Sequence, residues 1–246
     1  MSDVWPSGVD RILLDEVDST MAEAARRAPD LNCPTWIMAR NQIAARGRRG
    51  RDWENPKGNF AATLICFPDA APAEAALRAF TASNALYEAL AQVLPENALS
   101  LKWPNDVLLY GGKVAGILLE SAGVGDRVQW LSIGIGVNLA ETPGDVTDAA
   151  FQPTSLGEHG VTLGPEDLLQ SLAIRMAEGE NLLQTQGFTP VRDIWLTRAA
   201  RLGQRITART GTAEITGVFD TIDAQGQLVL RTAKGQVQIP AGDVFF

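Results

Sequence analysis

Four apolar runs separated by very short polar turns lie between residues 99 and 139, and they constrain the fold more than any other part of the sequence. The runs are 99–103, 107–110, 113–121 and 128–139. The pair Gly111-Gly112 stands between two of these runs and is a hairpin signal. This stretch is therefore predicted to form an antiparallel meander.

Helical and strand-like segments surround the meander in mixed order. Predicted helices cover about 20–28, 73–94, 165–186 and 190–202, and further strands cover 35–40 and 59–67. Thr20 and Glu23 form a capping-box pattern at the start of the first helix. Because the order is not strictly βαβ, the sequence predicts an α+β fold with a mixed, largely antiparallel sheet flanked by helices.

The last part of the chain changes character. Residues 204–246 alternate like strands between glycine-containing turns, which predicts a small antiparallel β-barrel or sandwich. We therefore expect a main domain over residues 1–200 and a small C-terminal β-barrel domain over residues 201–246. The second domain is too small to be very stable alone, so it is expected to dock on the first.

Composition narrows the class of protein. The chain has 246 residues, 46% of them hydrophobic, and a formal net charge of −8. No run approaches the roughly 18 apolar residues that span a bilayer, and no secretory signal is evident, so a cytoplasmic protein is expected. Cys33 and Cys66 have no metal-like spacing and are interpreted as reduced thiols. His159 is the single histidine, which excludes multi-histidine metal sites and disfavours histidine-based catalysis.

A dense basic segment stands out against this acidic background. Residues 42–53 read QIAARGRRGRDW, and residues 46–51 carry a charge of +4. Arginine offers a rigid fork of donors for phosphate and carboxylate groups, and glycine lets the backbone approach an anion. Trp53 adds a flat surface for stacking on a base. The segment predicts an anion-binding loop, with a solvated basic loop and an RNA-binding arm as the alternatives.

Two further segments place polar groups at the ends of strands. The sequence KWPND (102–106) follows an apolar strand, and its proline-stiffened corner would aim polar groups into a cleft. The alternative for this segment is a strand end with an Asx-type turn. In GIGVN (134–138), Gly134, Gly136 and Asn138 share a nearly bare face that suits a flat ligand or another strand. This is not a dinucleotide fingerprint, because no helix is predicted to follow it.

The segment KVAGIL (113–118) combines a lysine with a glycine inside a strand. Strict alternation places Lys113, Ala115 and Ile117 on one face of the strand and Val114, Gly116 and Leu118 on the other. A glycine weakens a strand unless something needs close approach, so Gly116 indicates either a ligand lying against the backbone or a β-bulge.

Together and in this order, these segments resemble the hallmark motifs of the biotin protein ligases. The sequence has ARGRRGRDW, KWPNDV, KVAGIL and GIGVN where that family has GRGRRGR-x-W, KWPND, K-(V/L)-AGIL and G-(I/A)-G-(I/V)-N. Asp18-Ser19-Thr20 resembles the family's D-S-T at the head of the first helix, and AGDVFF resembles its closing strand. The resemblance covers essentially the whole chain. It implies a class II synthetase-like catalytic domain with a small C-terminal SH3-like β-barrel.

The resemblance implies a two-step, ATP-dependent reaction. The carboxylate of biotin attacks the α-phosphate of MgATP, giving biotinyl-5′-AMP and pyrophosphate. The ε-amine of one lysine on a biotin carboxyl carrier domain then attacks the mixed anhydride and releases AMP. Biotin and ATP with Mg²⁺ are expected as substrates, no tightly bound cofactor is expected, and the protein ligands of the metal are not assigned. No protein nucleophile is needed, so catalysis is expected to rest on positioning and charge stabilisation.

The matching motifs imply a role for each site residue. Biotin binding is expected from Ser19, Thr20, Gln42, Arg46, Lys113 and Gly116. Binding of ATP or the adenylate is expected from Arg48, Arg51, Trp53, Lys102, Asn105 and Asn138. Catalysis is expected from Lys113, which would hold the reacting carboxylate and α-phosphate oxygens, and from Arg46 and Arg48, which would clamp the carboxylate and phosphates.

Two departures and two alternatives accompany the resemblance. The family's leading glycine is Ala45 here, which would change the loop if that position needs a positive φ. Only 17 residues precede Asp18, so an N-terminal DNA-binding domain and DNA binding are not expected. Relatives include monomers and dimers, so a homodimer stays open, as does the identity of the acceptor carboxylase. The alternatives are a lipoate or octanoate ligase with the same adenylate chemistry, and a nucleic-acid-binding module that uses the basic loop.

Overall fold

A seven-stranded mixed sheet forms the centre of the molecule in the computed structural model, which describes residues 5–47, 50, 53–144, 151–211 and 213–246. The strands are β1 Asp10–Val17, β2 Thr35–Gln42, β3 Phe60–Cys66, β4 Leu99–Lys102, β5 Asp106–Leu109, β6 Gly112–Val124 and β7 Arg127–Val137. Their spatial order is β1-β2-β3-β7-β6-β5-β4. The pair β1–β2 is parallel and all other neighbours are antiparallel. The predicted meander and the largely antiparallel sheet are confirmed.

Alternation along the strands divides the packing between the two faces of the sheet. Trp36, Met38 and Leu64 face the main core, whereas Ile37 and Ile65 face a smaller core beneath helix α1 (Thr20–Arg27). Helix α1 contacts β2, β3 and β7, so it covers the part of this face that these three strands form. Gly134 of β7 lies on this same face, against Met21 of α1.

The opposite face is covered by the other helices. These are α2 Pro72–Ala76, α3 Arg78–Leu90, α4 Pro165–Gln186 and α5 Phe188–Thr197. Helix α3 packs against both α4 and α5, and buried side chains such as Leu86, Leu172 and Trp195 join them to the sheet in one core. Burial of this large apolar layer is the main favourable term that holds the domain together.

The C-terminal residues form a second, five-stranded antiparallel sheet. Its strands are β8 Arg205–Arg209, β9 Glu214–Ile222, β10 Leu228–Thr232, β11 Gly235–Ile239 and β12 Asp243–Phe245, in the order β11-β10-β9-β8-β12. The core of this sheet is continuous with the main core, where Trp195 faces Phe219. The indole Nε1 of Trp103 also donates a hydrogen bond to the carbonyl of Gly226 at 3.1 Å. The expected docking of the small sheet on the main body is therefore observed.

Three elements differ from the sequence predictions. The helix predicted over 73–94 is two helices that meet at Leu77 and end at Leu90, because three-residue turns close at Leu77 and Phe80. The last helix spans Phe188–Thr197 and stops short of residue 202, because the backbone of Arg198 and Ala200 hydrogen-bonds to Leu101 along the edge of β4. Strand β1 was not predicted. None of the helices in the described part of the chain has both the length and the apolar character needed to cross a membrane.

Candidate active site on a glycine-lined sheet face

Three glycines, Gly116, Gly134 and Gly136, form a bare strip on the sheet, here called the glycine platform. Gly116 on β6 pairs with Gly136 on β7, and Gly134 lies two residues earlier on β7. A Cβ atom on Gly136 would lie 2.7 Å from Cε2 and Cζ2 of Trp53, and one on Gly116 would lie 3.2 Å from Cζ3. A Cβ atom on Gly134 would lie 2.6 Å from Sδ of Met21. The missing side chains therefore admit Trp53 at one end of the platform and Met21 at the other.

One end of the platform carries a lysine–aspartate cluster formed by Lys102, Asp106 and Lys113. Asp106 lies opposite Gly116 in the register of β5 and β6. Its Oδ1 is 2.7 Å from Nζ of Lys113, and its Oδ2 is 2.8 Å from Nζ of Lys102. Lys113 Nζ also lies 5.6 Å from the centroid of the Trp53 ring. Two ammonium groups sharing one carboxylate leave a net positive charge beside the platform, which suits an anionic ligand.

A β-bulge aims Lys113 at this cluster. The register of β5 and β6 shifts so that Val107 pairs with Ala115 and Leu108 pairs with Lys113, which leaves Val114 as the extra residue. Strict alternation would have placed Lys113 on the face opposite Gly116, and that prediction is wrong. The bulge changes the phase of the strand, so that Lys113 Cε lies 3.6 Å from a Cβ placed on Gly116. A β-bulge was one of the two interpretations of Gly116. The bulge occurs, but two residues earlier, at Val114.

The electrostatics of the cluster follow from burial and charge together. Burial raises the pKa of Asp106, but the charges of Lys102 and Lys113 outweigh it and hold that pKa below its usual value. Asp106 is therefore ionised at neutral pH in spite of being buried. An ionised Asp106 keeps both ammonium groups in fixed positions, which is the arrangement needed for stabilising charge that develops on a phosphate.

The opposite end of the platform carries a polar corner formed by Thr20, Gln42 and Thr63. The backbone N–H and the hydroxyl of Thr20 donate to Oε1 of Gln42 at 2.7 and 3.1 Å. The hydroxyl of Thr63 donates to Oγ1 of Thr20 at 2.9 Å, and Thr63 pairs with Gly134 in the register of β3 and β7. Buried polar groups with such directed bonds can recognise a polar ring by shape and by hydrogen bonding.

The predicted capping box at Thr20 and Glu23 does not form. Helix α1 begins at Thr20, its N-cap position is Ser19, and no side chain makes a capping hydrogen bond there. Thr20 instead uses its hydroxyl in the polar corner, and Glu23 pairs with the guanidinium groups of Arg26 and Arg27. The backbone N–H of Ser19 is held by Oδ1 of Asp18 at 2.8 Å. The conformation of the Asp18-Ser19-Thr20 segment is therefore fixed by the bond within it and by the bonds from Thr20 to Gln42.

Asn138 lies just beyond the end of β7 and is almost completely buried. Its Nδ2 donates to the carbonyl of Thr154 at 3.0 Å, and its backbone N–H donates to the carbonyl of Val114 at 2.8 Å. Its Oδ1 is buried without a hydrogen-bond partner within the described residues. A buried acceptor without a partner is costly, and a ligand that donates an N–H would remove that cost.

Asn105 braces the strand that carries the glycine platform. Its side-chain Nδ2 donates to the backbone carbonyl of Ile117 at 2.5 Å, and its backbone carbonyl accepts the N–H of Ile117 at 2.9 Å. Both bonds fix the KWPND corner, which contains a cis Trp103-Pro104 peptide bond, against β6. These two bonds of Asn105 are structural, and its predicted role near the phosphates stays a prediction.

The basic loop is closed at its base by a backbone hydrogen bond from Trp53 to the carbonyl of Ala45 at 3.1 Å. Arg46 is exposed at the start of the loop. The predicted phosphate ligands Arg48 and Arg51 lie outside the described residues. The described non-glycine residues with positive φ are Asn97, Tyr110 and Arg201, so Ala45 replaces the family's glycine without backbone strain.

The site also contains residues that the sequence reasoning missed. Asp106 belongs to the KWPND motif, but no role is predicted for it from the sequence. The signal that could have identified it is its position four residues after Lys102, across a tight turn, where a carboxylate can pair with the lysine. Thr63 gave no signal because it lies inside an apolar strand. Met21 follows the Asp18-Ser19-Thr20 segment directly, but its contact with Gly134 depends on the packing of α1 across the sheet.

Three known proteins are similar to this chain over most of its length. The chain is similar to the biotin–[acetyl-CoA-carboxylase] ligase of Paracoccus denitrificans, with 52% identity over 238 residues, which covers 95% of this chain and 99% of that protein. The protein of the same name from Mycobacterium tuberculosis is 30% identical over 217 residues, which covers 85% of this chain and 77% of that protein. The biotin protein ligase from Aquifex aeolicus in complex with biotin and ATP has a TM-score of 0.78 and 26% identity, covering 96% of this chain and 97% of that one.

Two family models match separate parts of the sequence. The model of the biotin protein ligase C terminal domain matches residues 202–246, which contain the five-stranded sheet. The model of the biotin/lipoate A/B protein ligase family matches residues 13–138, which contain the glycine platform, the polar corner and the lysine–aspartate cluster. The chain belongs to the biotin/lipoate A/B protein ligase family.

Proposed function

We propose that this chain is a biotin–[acetyl-CoA-carboxylase] ligase. It activates biotin as biotinyl-5′-AMP and then transfers the biotinyl group to one lysine of the carboxylase's carrier domain. The observation that carries this proposal is the glycine platform with a cationic cluster at one end and a buried polar corner at the other. Biotin has a polar ureido ring at one end and a carboxylate at the other, which matches both ends of such a site.

In the first step, a carboxylate oxygen of biotin attacks the α-phosphorus of ATP. The new bond joins that oxygen to phosphorus, and the bond from the α-phosphorus to the pyrophosphate oxygen breaks, so that pyrophosphate leaves. Negative charge grows on the α-phosphate oxygens as this happens. Lys113, held by Asp106, stabilises that charge, and Lys102 completes the positive field from the other side of the carboxylate. Mg²⁺ enters as part of the ATP substrate.

In the second step, the neutral ε-amine of the acceptor lysine attacks the carbonyl carbon of the adenylate. The carbon–nitrogen bond forms, the carbon–oxygen bond to AMP breaks, and the amine gives up a proton to the leaving phosphate or to water. No side chain of the ligase becomes covalently modified. The work of the protein is to hold the adenylate in place and to exclude water from the mixed anhydride until the acceptor arrives.

The polar corner favours biotin over lipoate or octanoate. The ureido ring of biotin has two N–H donors and a carbonyl acceptor, whereas the dithiolane ring and the alkyl chain have none. With Oε1 of Gln42 accepting from Thr20, the Nε2 amide of Gln42 is the part that would donate to the ureido carbonyl. The hydroxyl of Ser19, which makes no capping bond, is available to the same ring. A site built from polar groups rejects a ligand that leaves those groups without partners.

The adenine is assigned to the neighbourhood of Asn138 and Trp53. The buried Oδ1 of Asn138 would accept a hydrogen bond from the adenine amino group, which supplies the partner that this atom lacks within the described chain. Trp53 offers an aromatic face beside Lys113. Arg46 is exposed at the start of the basic loop, and we assign it, with Arg48 and Arg51 of the same loop, to the carboxylate and phosphates on charge alone.

Transfer to a carrier domain tests the proposal as a whole. The purified chain is mixed with biotin, MgATP and the biotin carboxyl carrier domain of an acetyl-CoA carboxylase, and the carrier is analysed by intact mass and by peptide mapping. One biotinyl group on one lysine is expected, and none when ATP is omitted. A carrier whose acceptor lysine is replaced by arginine is the control. Absence of transfer from a chain that binds biotin would contradict the proposal.

A further inference from the structure

The lysine–aspartate cluster touches the C-terminal sheet through two aromatic rings. The Nζ atom of Lys102 lies 4.8 Å from the centroid of the Phe151 ring. The Phe151 ring in turn meets the Phe246 ring at 4.6 Å between centroids and 61° between planes, in a T-shaped contact. A chain of direct contacts therefore runs from Phe246, which follows β12, to the ammonium group that holds Asp106.

The segment that begins at Phe151 also holds the strand that carries the other lysine of the cluster. The backbone N–H of Lys113 donates to the carbonyl of Gln152 at 2.9 Å, and the N–H of Thr154 donates to the carbonyl of Lys113 at 3.0 Å. Residues 151–154 thus contact Lys102 through a side chain and Lys113 through the backbone. A shift of this segment would move both ammonium groups relative to Asp106.

Lys102 depends on the Phe151 ring because it is buried. The residue is 5% exposed, so its ammonium group has Asp106 and the ring face where a surface lysine would have water. The negative face of an aromatic ring stabilises a cation that has lost water on that side. Removing the support behind the Phe151 ring would admit water to Lys102 and loosen its hold on Asp106.

Phe246 is placed to support that ring and contributes little to the core. It is 42% exposed, and its outer side is covered by the guanidinium group of Arg201 at 5.0 Å from the ring centroid. Its neighbour Phe245 instead stacks against Arg209 within the C-terminal sheet. The two adjacent phenylalanines therefore have different contacts, one towards the cluster and one within the sheet.

We infer that Phe151 and Phe246 are positioning residues through which the C-terminal sheet sets the geometry of the lysine–aspartate cluster for adenylate formation. The hydrogen bond from Trp103 to Gly226 joins the same corner to the C-terminal sheet at a second point. The inference rests on the proposed function, because it assigns the cluster to the phosphates of ATP. It adds that the second domain acts on the first step of the reaction, before any carrier is present.

The test is biotin-dependent ATP–pyrophosphate exchange by the full chain, with ATP and biotin varied separately. We expect Phe246→Ala to lower kcat/KM for ATP by roughly tenfold. We expect its affinity for biotin in the absence of ATP to stay within about twofold of wild type, because the polar corner lies at the other end of the platform. Phe246→Tyr, which keeps the ring, should restore the wild-type value. Phe245→Ala is the matched control and should exchange at the wild-type rate.

A second variant guards against a purely structural effect. Phe151→Leu keeps an apolar side chain but removes the ring face, and in that background Phe246→Ala should cause no further loss. Equal kcat/KM for ATP in Phe246→Ala and Phe245→Ala, or additive losses in the double variant, would overturn the inference. Exchange by wild type that does not depend on biotin would instead contradict the proposed function, so the two failures are distinguishable.

Discussion

The indole of Trp53 lies directly on the backbone of Gly136, so close that a Cβ atom at Gly136 would come within 2.7 Å of the ring. Gly116, on the neighbouring strand, meets the same ring from beneath. The contact brings the last residue of the basic loop onto the sheet beside Lys113. It explains why two paired strands in the middle of the sheet carry glycine where side chains would normally pack.

Gly136→Ala is therefore expected to displace Trp53 and weaken ligand binding. Overpacking of this kind costs about 1–3 kcal/mol, so the Kd for biotinyl-5′-AMP should rise by about tenfold or more. Gly211→Ala is the control, because a Cβ atom there would meet nothing within 4 Å. Isothermal titration with the adenylate measures the change. Wild-type affinity in Gly136→Ala would show that the position of Trp53 does not matter for binding.

Lys113→Ala removes the ammonium group that we propose holds the reacting carboxylate and α-phosphate oxygens. The rate of adenylate formation in a single turnover should fall by about 10²–10³-fold, because charge that develops on the α-phosphate loses a fixed partner. Lys234→Ala, at an exposed turn of the C-terminal sheet, should react at the wild-type rate. A Lys113→Ala rate within a few-fold of wild type would remove this residue from the mechanism.

Asp106→Asn leaves two buried ammonium groups facing a neutral amide. Breaking a buried ion pair from one side costs about 3–5 kcal/mol of unfolding free energy, part of which relaxation will recover. Lys102 and Lys113 hold the pKa of Asp106 below its usual value, so its stabilising contribution is fully present at a pH well above that usual value. The contribution is lost as the pH falls towards the lower folded value.

Urea unfolding of wild type and Asp106→Asn at several pH values measures this contribution. The difference in stability between the two proteins should be constant from about pH 7 to pH 5 and should shrink below about pH 4. A difference that stays constant down to about pH 3 would mean that Asp106 does not carry the charge that the cluster requires.

Arg46→Gly tests whether the exposed arginine at the start of the basic loop retains the adenylate. Without its guanidinium group the adenylate should dissociate before transfer, and free adenylate acylates any accessible amine. Biotin should then appear on lysines of a bystander protein added to the reaction, as detected by peptide mass spectrometry. If labelling stays confined to the carrier domain, Arg46 is not a retention residue.

The two cysteines should be unreactive thiols in the folded protein. Burial raises the pKa of Cys66 to about 12, and a hydrogen bond to the Asp10 carboxylate raises the pKa of Cys33. Because the thiolate is the nucleophile, alkylation by iodoacetamide at about pH 8 should be slow at both positions. It should become fast at Cys66 only on unfolding. Rapid alkylation of Cys66 in the folded protein would contradict the raised pKa of this thiol.

Much of the fold could be predicted from local patterns. The hairpin glycines at 111 and 112 and the alternation of the C-terminal strands gave the two sheets correctly. Strand β1 was missed because it is an edge strand whose apolar run, Ile12 to Leu14, is only three residues long and is flanked by exposed charged side chains. Its position is determined by parallel pairing with β2, which is a long-range contact that local periodicity does not encode.

The motifs identified the site, but the packing determines how its residues meet. Strict alternation predicts the wrong face for Lys113 because it does not allow for the bulge at Val114. The spacing of Thr20 and Glu23 predicts a capping box, but the hydroxyl of Thr20 instead donates to Gln42 at the end of β2, which is a long-range contact. Both errors occur where the requirements of the site override a local rule, as is usual at functional positions.

ATP–pyrophosphate exchange without any carrier protein tests the central claim most directly, with biotin, lipoate and octanoate compared in parallel. Exchange depends only on reversible formation of the acyl adenylate, so it isolates the chemistry assigned to the lysine–aspartate cluster and the polar corner. We predict exchange with biotin and none above background with lipoate or octanoate. Exchange with lipoate or octanoate would contradict the assignment of the polar corner to the ureido ring, and no exchange with any of the three acids would contradict adenylation by this site.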